Sequence, residues 1–292
     1  MSLPTGLGCS TITFQHLPLA DALADIAALG VTEIDLGALP GVCDHVPFDL
    51  DDDAIDRVVA DIAASGLTVR SVNGDIGDLN DPSADEAARD RHLDRLLRLT
   101  AAIGARALVL PCGALGHEPV ESESADLDRI AYALATAADA ARTHGVELWI
   151  ESLHYLRFSW GRERAEALHG RLDAAGARVG IVLDVAHVTA AGDDLPGTIA
   201  DWQGRIAHVH LRDAVRGDFS RRIGEGDVDF AAAFRALDEI GYSGARILEQ
   251  PSRAYVDDAT SAVEGDRRAE LAGIAERSLT RLRDAMAASA AR

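Results

Sequence analysis

The chain has 292 residues, of which 48% are hydrophobic and 26% charged, a composition that can bury a full core and that excludes disorder. Its 28 lysines and arginines stand against 48 aspartates and glutamates, a formal net charge of −20, which repels a phosphate backbone or an anionic membrane and leaves a small-molecule partner. No apolar run approaches the ~18 residues of a membrane helix, and the N-terminal segment lacks a basic start followed by an apolar core, so a cytoplasmic protein is expected.

The predicted elements follow a repeat in which a helix-ending glycine precedes a short β-branched or aliphatic run. After an opening strand near Leu7–Ile12 come Val31–Leu36, Leu67–Val72, Ala105–Leu110, Val146–Glu151, Ala177–Asp184, Arg205–Leu211 and Tyr242–Glu249. The glycines before the last seven runs, Gly30, Gly66, Gly104, Gly145, Gly176, Gly204 and Gly241, are 36, 38, 41, 31, 28 and 37 residues apart, each interval holding one strand, one loop and one helix. Helices are predicted over Asp52–Ala64, from a capping box Ser83-x-x-Glu86 to near Ile103, over Asp126–His144, Arg162–Ala175 and Phe230–Ile240, and from about Thr260 onward. Strands such as Ala107–Leu110 are apolar throughout, as expected when both faces are covered. Eight strands alternating with helices predict one α/β domain over residues 1–292, a closed (β/α)8 TIM barrel. An open doubly wound sheet is the alternative, but no G-x-G-x-x-G follows the first strand. Cys9, Cys43 and Cys112 are odd in number and never spaced C-x-x-C, which indicates buried reduced thiols.

In such barrels chemistry sits at the C-terminal ends of the strands. Glu151, Asp184, His210 and Glu249 end four consecutive apolar strands, 6, 8, 6 and 8 residues beyond the preceding glycines, and so lie at similar depth. Three carboxylates and an imidazole around one point repel one another unless a divalent cation lies among them, and this oxygen-rich set suits manganese, magnesium, cobalt or zinc. His187, three residues beyond Asp184, is expected to touch substrate at the rim. His208 shares the face of His210 one layer deeper and is either a substrate contact or a hydrogen-bonded core residue. His92, His144 and His169 read as solvated helix residues, and His16, His45 and His117 as loop residues without a clear partner. The loop after the seventh strand concentrates Arg212, Arg216, Arg221 and Arg222, which suit either an anionic or polyol substrate or surface ion pairs. Trp149, Tyr155, Phe158 and Trp160 form either a lid or ordinary helix-to-barrel packing.

Taken together, Glu151, Asp184-V-A-His187, His208-V-His210-L-R-Asp213, Gly224-E-G-D-V-D-Phe230 and I-L-Glu249 resemble the sugar phosphate isomerase/epimerase family of xylose isomerase-like TIM barrels. The resemblance spans essentially the whole chain, with its specific motifs between Gly145 and Gln250. It implies one divalent metal, manganese foremost and cobalt, magnesium or zinc as alternatives, held by Glu151, Asp184, His210 and Glu249. It further implies that Glu151 and Glu249 form a proton-transfer pair on opposite faces of the substrate, while His187 and Arg216 bind substrate oxygens. After Glu151 the chain departs from the ketose 3-epimerase pattern, with His154 and Arg157 where an asparagine and a glutamate stand in that group. His154 therefore joins the expected substrate contacts, and an acidic or otherwise modified polyol stands beside a free ketose as substrate. The implied activity is isomerisation or epimerisation of a small sugar, polyol or hydroxy-keto compound through a metal-stabilised enediolate. A lyase or dehydratase on the same metal site is the alternative, and a homo-oligomer is left open. An apurinic-endonuclease-like phosphodiesterase needs further histidines from the third and fourth strands, which end in SVNGD and LVLPCG, and the net charge opposes it as well.

Overall fold

The computed structural model describes residues 3–250 and 266–290. The chain forms β1 (Leu7–Ser10), β2 (Glu33–Ala38), β3 (Thr68–Gly74), β4 (Ala107–Pro111), β5 (Glu147–Glu151), β6 (Val179–Asp184), β7 (Ile206–Leu211), a hairpin of β8 (Asp213–Val215) and β9 (Asp218–Arg221), and β10 (Arg246–Leu248). All except the hairpin close into a parallel barrel in the order β1-β10-β7-β6-β5-β4-β3-β2. Leu7 stands opposite Arg246 and Cys9 opposite Ile34, so the first strand joins the last to the second. The predicted (β/α)8 architecture is the one observed.

The glycine repeat has a conformational cause. All seven marker glycines adopt φ between 69° and 78°, the left-handed region in which a Cβ is strained. Gly66, for example, ends α2 (Asp52–Ser65) at φ 69° and ψ 6° and turns the chain back toward the barrel. At the other end of the helices, short polar side chains stop the backbone. Asp51 accepts the Ala54 N–H at 2.8 Å, and Ser122 opens α4 (Glu123–Thr143) by accepting from Ala125 at 3.2 Å.

Several boundaries differ from the sequence reading for local reasons. The helix expected from Ser83 is α3 (Glu86–Ala102), which begins after Asp85 because that carboxylate takes the Ala88 N–H at 3.0 Å; Ser83 is held instead in the preceding turn by Asp81. The opening strand stops at Ser10, whose hydroxyl accepts the Ile12 N–H at 3.2 Å and folds Thr11–Phe14 into a 3-10 turn. The structure adds α1 (Leu19–Ala28) and the short helices α6 (Val185–Ala191) and α7 (Leu195–Asp201), beside the expected α5 (Arg162–Ala174) and α8 (Phe230–Glu239). The last helix is described as α9 (Asp266–Ala290), and its expected start near Thr260 lies outside the described residues.

Leu96, Leu97, Ile130, Leu134, Leu168 and Ile181 belong to the buried apolar layer between the helices and the barrel. Inside the barrel a separate small cluster of Ala107, Val109, Trp149 and Val182 forms a plug. The Trp149 indole donates to Glu147 at 2.9 Å, and His208 stacks on its ring at 5.1 Å. Of the four aromatics after the fifth strand's start, Trp149 and Phe158 are fully buried, whereas Tyr155 and Trp160 flank His117. His169, expected in solvent, is buried and meets Ser152 Oγ at 2.7 Å; His45 is likewise buried between Cys43 Sγ and the Leu17 carbonyl. All three cysteines are buried free thiols. Among the described residues no helix is long and apolar enough to cross a membrane.

Candidate metal centre

Glu151 is the last residue of β5, Asp184 the last of β6, His210 the penultimate residue of β7, and Glu249 directly follows β10. Because the strands are parallel and in register, with Asp184 opposite His210, these side chains reach one level of the barrel. All four are buried, between 0% and 6% exposed. His210 Nδ1 lies 2.7 Å from Glu249 Oε2 and 3.4 Å from Glu151 Oε1. Glu151, Asp184 and His210 each offer an atom within 4.8 Å of the others.

The electrostatics of this cluster are unbalanced by side chains alone. Burial pushes the Asp184 carboxyl up to about 7 despite the nearby Arg212, with Glu151 and Glu249 adding to the rise. Burial would raise Glu249 too, but Arg212 and His210 hold it well below the usual carboxylate range. Glu151 is also lowered: burial opposes the shift, while the His210 hydrogen bond and His154 drive it. Burial disfavours charge on His210, yet Glu249, Asp35 and Glu151 outweigh it and lift its imidazole well above the ordinary value. Asp184 Oδ2 is buried without a hydrogen-bond partner, and Glu249 Oε2 has only His210 Nδ1 at 2.7 Å. One orphaned carboxylate oxygen, two further carboxylates and an imidazole nitrogen form a donor set that fits a hard to borderline divalent cation, which would relieve the repulsion and replace the proton drawn to Nδ1.

Around this centre the other expected residues fall into place differently. Asp184 Oδ1 caps α6, accepting the N–H groups of Ala186 at 2.7 Å and His187 at 3.3 Å, and so sets His187 on the first turn. The His187 Nδ1 accepts the Tyr155 N–H at 3.3 Å, which leaves the proton of a neutral ring on Nε2, a buried and unpartnered atom 3.7 Å from Asp184 Oδ2. His154 packs on His187 with ring centroids 4.0 Å apart, and its Nε2 lies 3.9 Å from Glu151 Oε2. Burial holds both imidazoles well below their ordinary pKa, so both are neutral at pH 7. His208 is fully buried, directs Nε2 to Asp35 Oδ2 at 2.6 Å and stacks on Trp149, which matches the core alternative of its two readings.

The arginines separate by position. Arg216 is exposed at the turn between β8 and β9 with its guanidinium against the bare Cα of Gly192, and the guanidinium that reaches the cluster is Arg212. Its Nη2 bonds Glu249 and its Nε lies 3.3 Å from Asp184 Oδ2. Arg157 is held by Asp75 and by the Gly113 carbonyl at 3.0 Å, bracing the loops after β3, β4 and β5. The R-D and G-E-G-D segments belong together. Asp213 accepts four N–H groups, from Ala214, Gly224, Gly226 and Val228, at 2.7–3.2 Å, and thereby fixes the loop that follows the hairpin.

Two residues with no role in the sequence reading stand at the centre. Phe219 of β9 lies over Arg212 at 5.6 Å and packs on His187 at 4.7 Å, forming an apolar wall with Tyr155. Asp35 of β2 is fully buried and receives His208 Nε2 at 2.6 Å, His210 Nε2 at 3.1 Å and the Ser71 hydroxyl at 2.7 Å. Burial raises its pKa, but His208 and His210 outweigh that and keep it ionised. The only sequence signal for Asp35 is a carboxylate inside an otherwise apolar strand run.

Comparison with known proteins agrees with this fold. The chain is 29% identical over 216 residues to an L-ribulose 3-epimerase of Mesorhizobium japonicum, covering 73% of this chain and 70% of that protein. It is 26% identical over 218 residues to a ketose 3-epimerase of Arthrobacter globiformis, covering 72% of each. Among solved structures, an L-ribulose 3-epimerase superposes with a TM-score of 0.76 at 24% identity, covering 99% of this chain and 96% of that one. A D-psicose 3-epimerase from Clostridium cellulolyticum, solved with D-tagatose, gives 0.75 at 17% identity over 97% and 99%, so the barrel persists where the sequences have diverged. The family model for the xylose isomerase-like TIM barrel matches residues 23–284, and with a closed eight-stranded barrel and its polar residues gathered at the strand ends, the chain belongs to that family.

Proposed function

We propose that this protein is a divalent-metal-dependent epimerase or isomerase of a small sugar or related polyol. The observation that carries this reading is the convergence of Glu151, Asp184, His210 and Glu249 in a buried cluster in which Asp184 Oδ2 lacks a hydrogen bond. The names of the sequence relatives, both sugar 3-epimerases, support the substrate class. Bound by these four residues, a divalent ion, manganese by preference, supplies Lewis-acid stabilisation of the charge that develops on oxygen as a proton leaves the adjacent carbon.

The chain's own groups divide the remaining work. Glu151 and Glu249 take and return the proton alpha to the carbonyl, from opposite faces in an epimerisation. His187 offers its Nε2–H to a substrate oxygen. Arg212 remains a cation at every working pH and faces the anionic charge of the enediolate. Phe219 and Tyr155 wall the site against water, which strengthens each of these interactions. A free ketose is the first substrate class to try. A polyol carrying an acidic group is the second class to try.

The test is a screen of ketoses in deuterium oxide with manganese, followed by mass spectrometry and NMR. Conversion without loss of mass, with one solvent deuteron at the carbon alpha to the carbonyl, and its abolition by a chelator are expected. Conversion without label would overturn proton transfer, and a product lighter by one water would make the enzyme a dehydratase.

A further inference from the structure

Asp35 has no role in the proposal above, and its geometry gives it one. Its Oδ2 is within hydrogen-bond distance of two imidazole nitrogens, His208 Nε2 at 2.6 Å and His210 Nε2 at 3.1 Å, while Oδ1 accepts from Ser71 at 2.7 Å. A carboxylate oxygen can only accept, so both Nε2 atoms carry hydrogen. For a neutral His210 ring that leaves Nδ1 as the lone-pair nitrogen, and Nδ1 is the atom that faces Glu151 and Glu249. The four residues come from β2, β3 and β7, so the arrangement spans the barrel interior and is buried on every side.

We infer that Asp35 is a positioning residue which locks His210 in the tautomer that presents Nδ1 to a divalent ion, with Ser71 fixing the carboxylate and His208 sharing it. The inference rests on the metal centre proposed above. A carboxylate behind a ligating imidazole orients the ring and raises its basicity, and loss of such a partner typically weakens metal binding by 10–100-fold. Asparagine cannot reproduce this, because one amide oxygen cannot face Ser71 and both imidazoles at once and the amide N–H₂ meets whichever donor remains. His208, by contrast, does not act through His210. Its replacement leaves the Asp35–His210 contact in place.

The experiment is cobalt(II) titration of wild type, Asp35→Asn and His208→Gln, followed by the d–d absorption band and by competition with a chelator. Asp35→Asn is expected to weaken cobalt binding 10–100-fold and to alter the band, while His208→Gln keeps affinity within about threefold. Because Asp35→Asn can fail to fold, the wild-type protein is also labelled with nitrogen-15 histidine and loaded with zinc. A protonated Nε2 and a metal-shifted Nδ1 on His210 are expected. Coordination through Nε2, or wild-type cobalt affinity in a folded Asp35→Asn, would overturn the positioning role alone. A wild type that binds no divalent ion would overturn both this inference and the metal centre on which it rests.

Discussion

Glu151 and Glu249 do unlike things around the same imidazole. Glu249 carries the Arg212 ion pair, whereas the neighbours of Glu151 are His154 and His210. Glutamine keeps an oxygen for a cation but cannot take a proton, so Glu151→Gln and Glu249→Gln are expected to bind metal at no worse than about one tenth of wild-type affinity while turnover falls by 10²–10⁴-fold. Solvent-deuterium exchange from each epimer separately should then show each variant blocked from one face, and a fully active variant would remove that glutamate from the chemistry. The four ligand candidates were legible because each ends an apolar run, where a charged side chain has no packing reason to stand. Asp35 was not legible: it lies within a run, and its partner His208 is 173 residues away. Arg216, expected to bind substrate, is exposed at the hairpin turn, and the sequence did not show that Arg212 would be the guanidinium facing Asp184 and Glu249.

At the scale of elements, the loop after β9 depends on one carboxylate and one bare Cα. A Cβ on Gly226 would stand 2.3 Å from Asp213 Oδ1 and 2.5 Å from the Ala214 carbonyl, so Gly226→Ala must displace the acceptor of four N–H bonds. Overpacking of this kind costs about 1–3 kcal/mol. Gly170, within α5, has nothing within 4 Å of the same position, and alanine there is expected to stabilise by about 0.5–1 kcal/mol through helix propensity. Urea unfolding of the two variants should therefore move the midpoint in opposite directions. The G-E-G-D motif marked this loop in the sequence, but its partnership with Asp213 could not be read there, because spacing does not say which side chain a backbone turn will close upon. The long helices between the middle strands were legible, whereas α1 and α7 were not, although the marker glycines Gly30 and Gly204 follow them. The first short helix between β6 and β7 also ends on a left-handed glycine, Gly192, but no aliphatic run follows it to mark a strand within the 28-residue interval.

The whole molecule is acidic and its barrel is tied to the outer helices by buried polar contacts as well as apolar ones. His169 of α5 reaches Ser152 at 2.7 Å, beside Glu151, and packs edge-on against Trp202. Burial lowers its pKa to about 3, with Arg205 adding to the effect. The folded form thus keeps the ring neutral while the unfolded chain, with a histidine pKa near 6.5, takes up a proton first. This contribution to stability is present above about pH 6.5 and is lost progressively as pH falls toward 3. Comparing urea midpoints at pH 7.5 and pH 5, wild type is expected to lose more stability than His169→Gln, and equal losses would show that His169 is not the sensitive group. The barrel itself was legible in the chain because seven positive-φ glycines punctuate it at nearly regular intervals. Its closure was an inference from counting strands to eight, since the pairing of β1 with β10 joins residues with no sequence relation.

That closure sets an order in time. Synthesis delivers Glu151, Asp184, His210 and Glu249 one strand at a time, and the final donor comes just after the strand that must find β1 at the far end of the chain. A nascent chain that has not yet exposed Glu249 holds at most three of the four donors of the proposed metal centre. Long-range pairing of this sort is slow to form. The full donor set of the proposed metal centre is therefore complete only at the end of folding, when the first and last strands of the barrel meet.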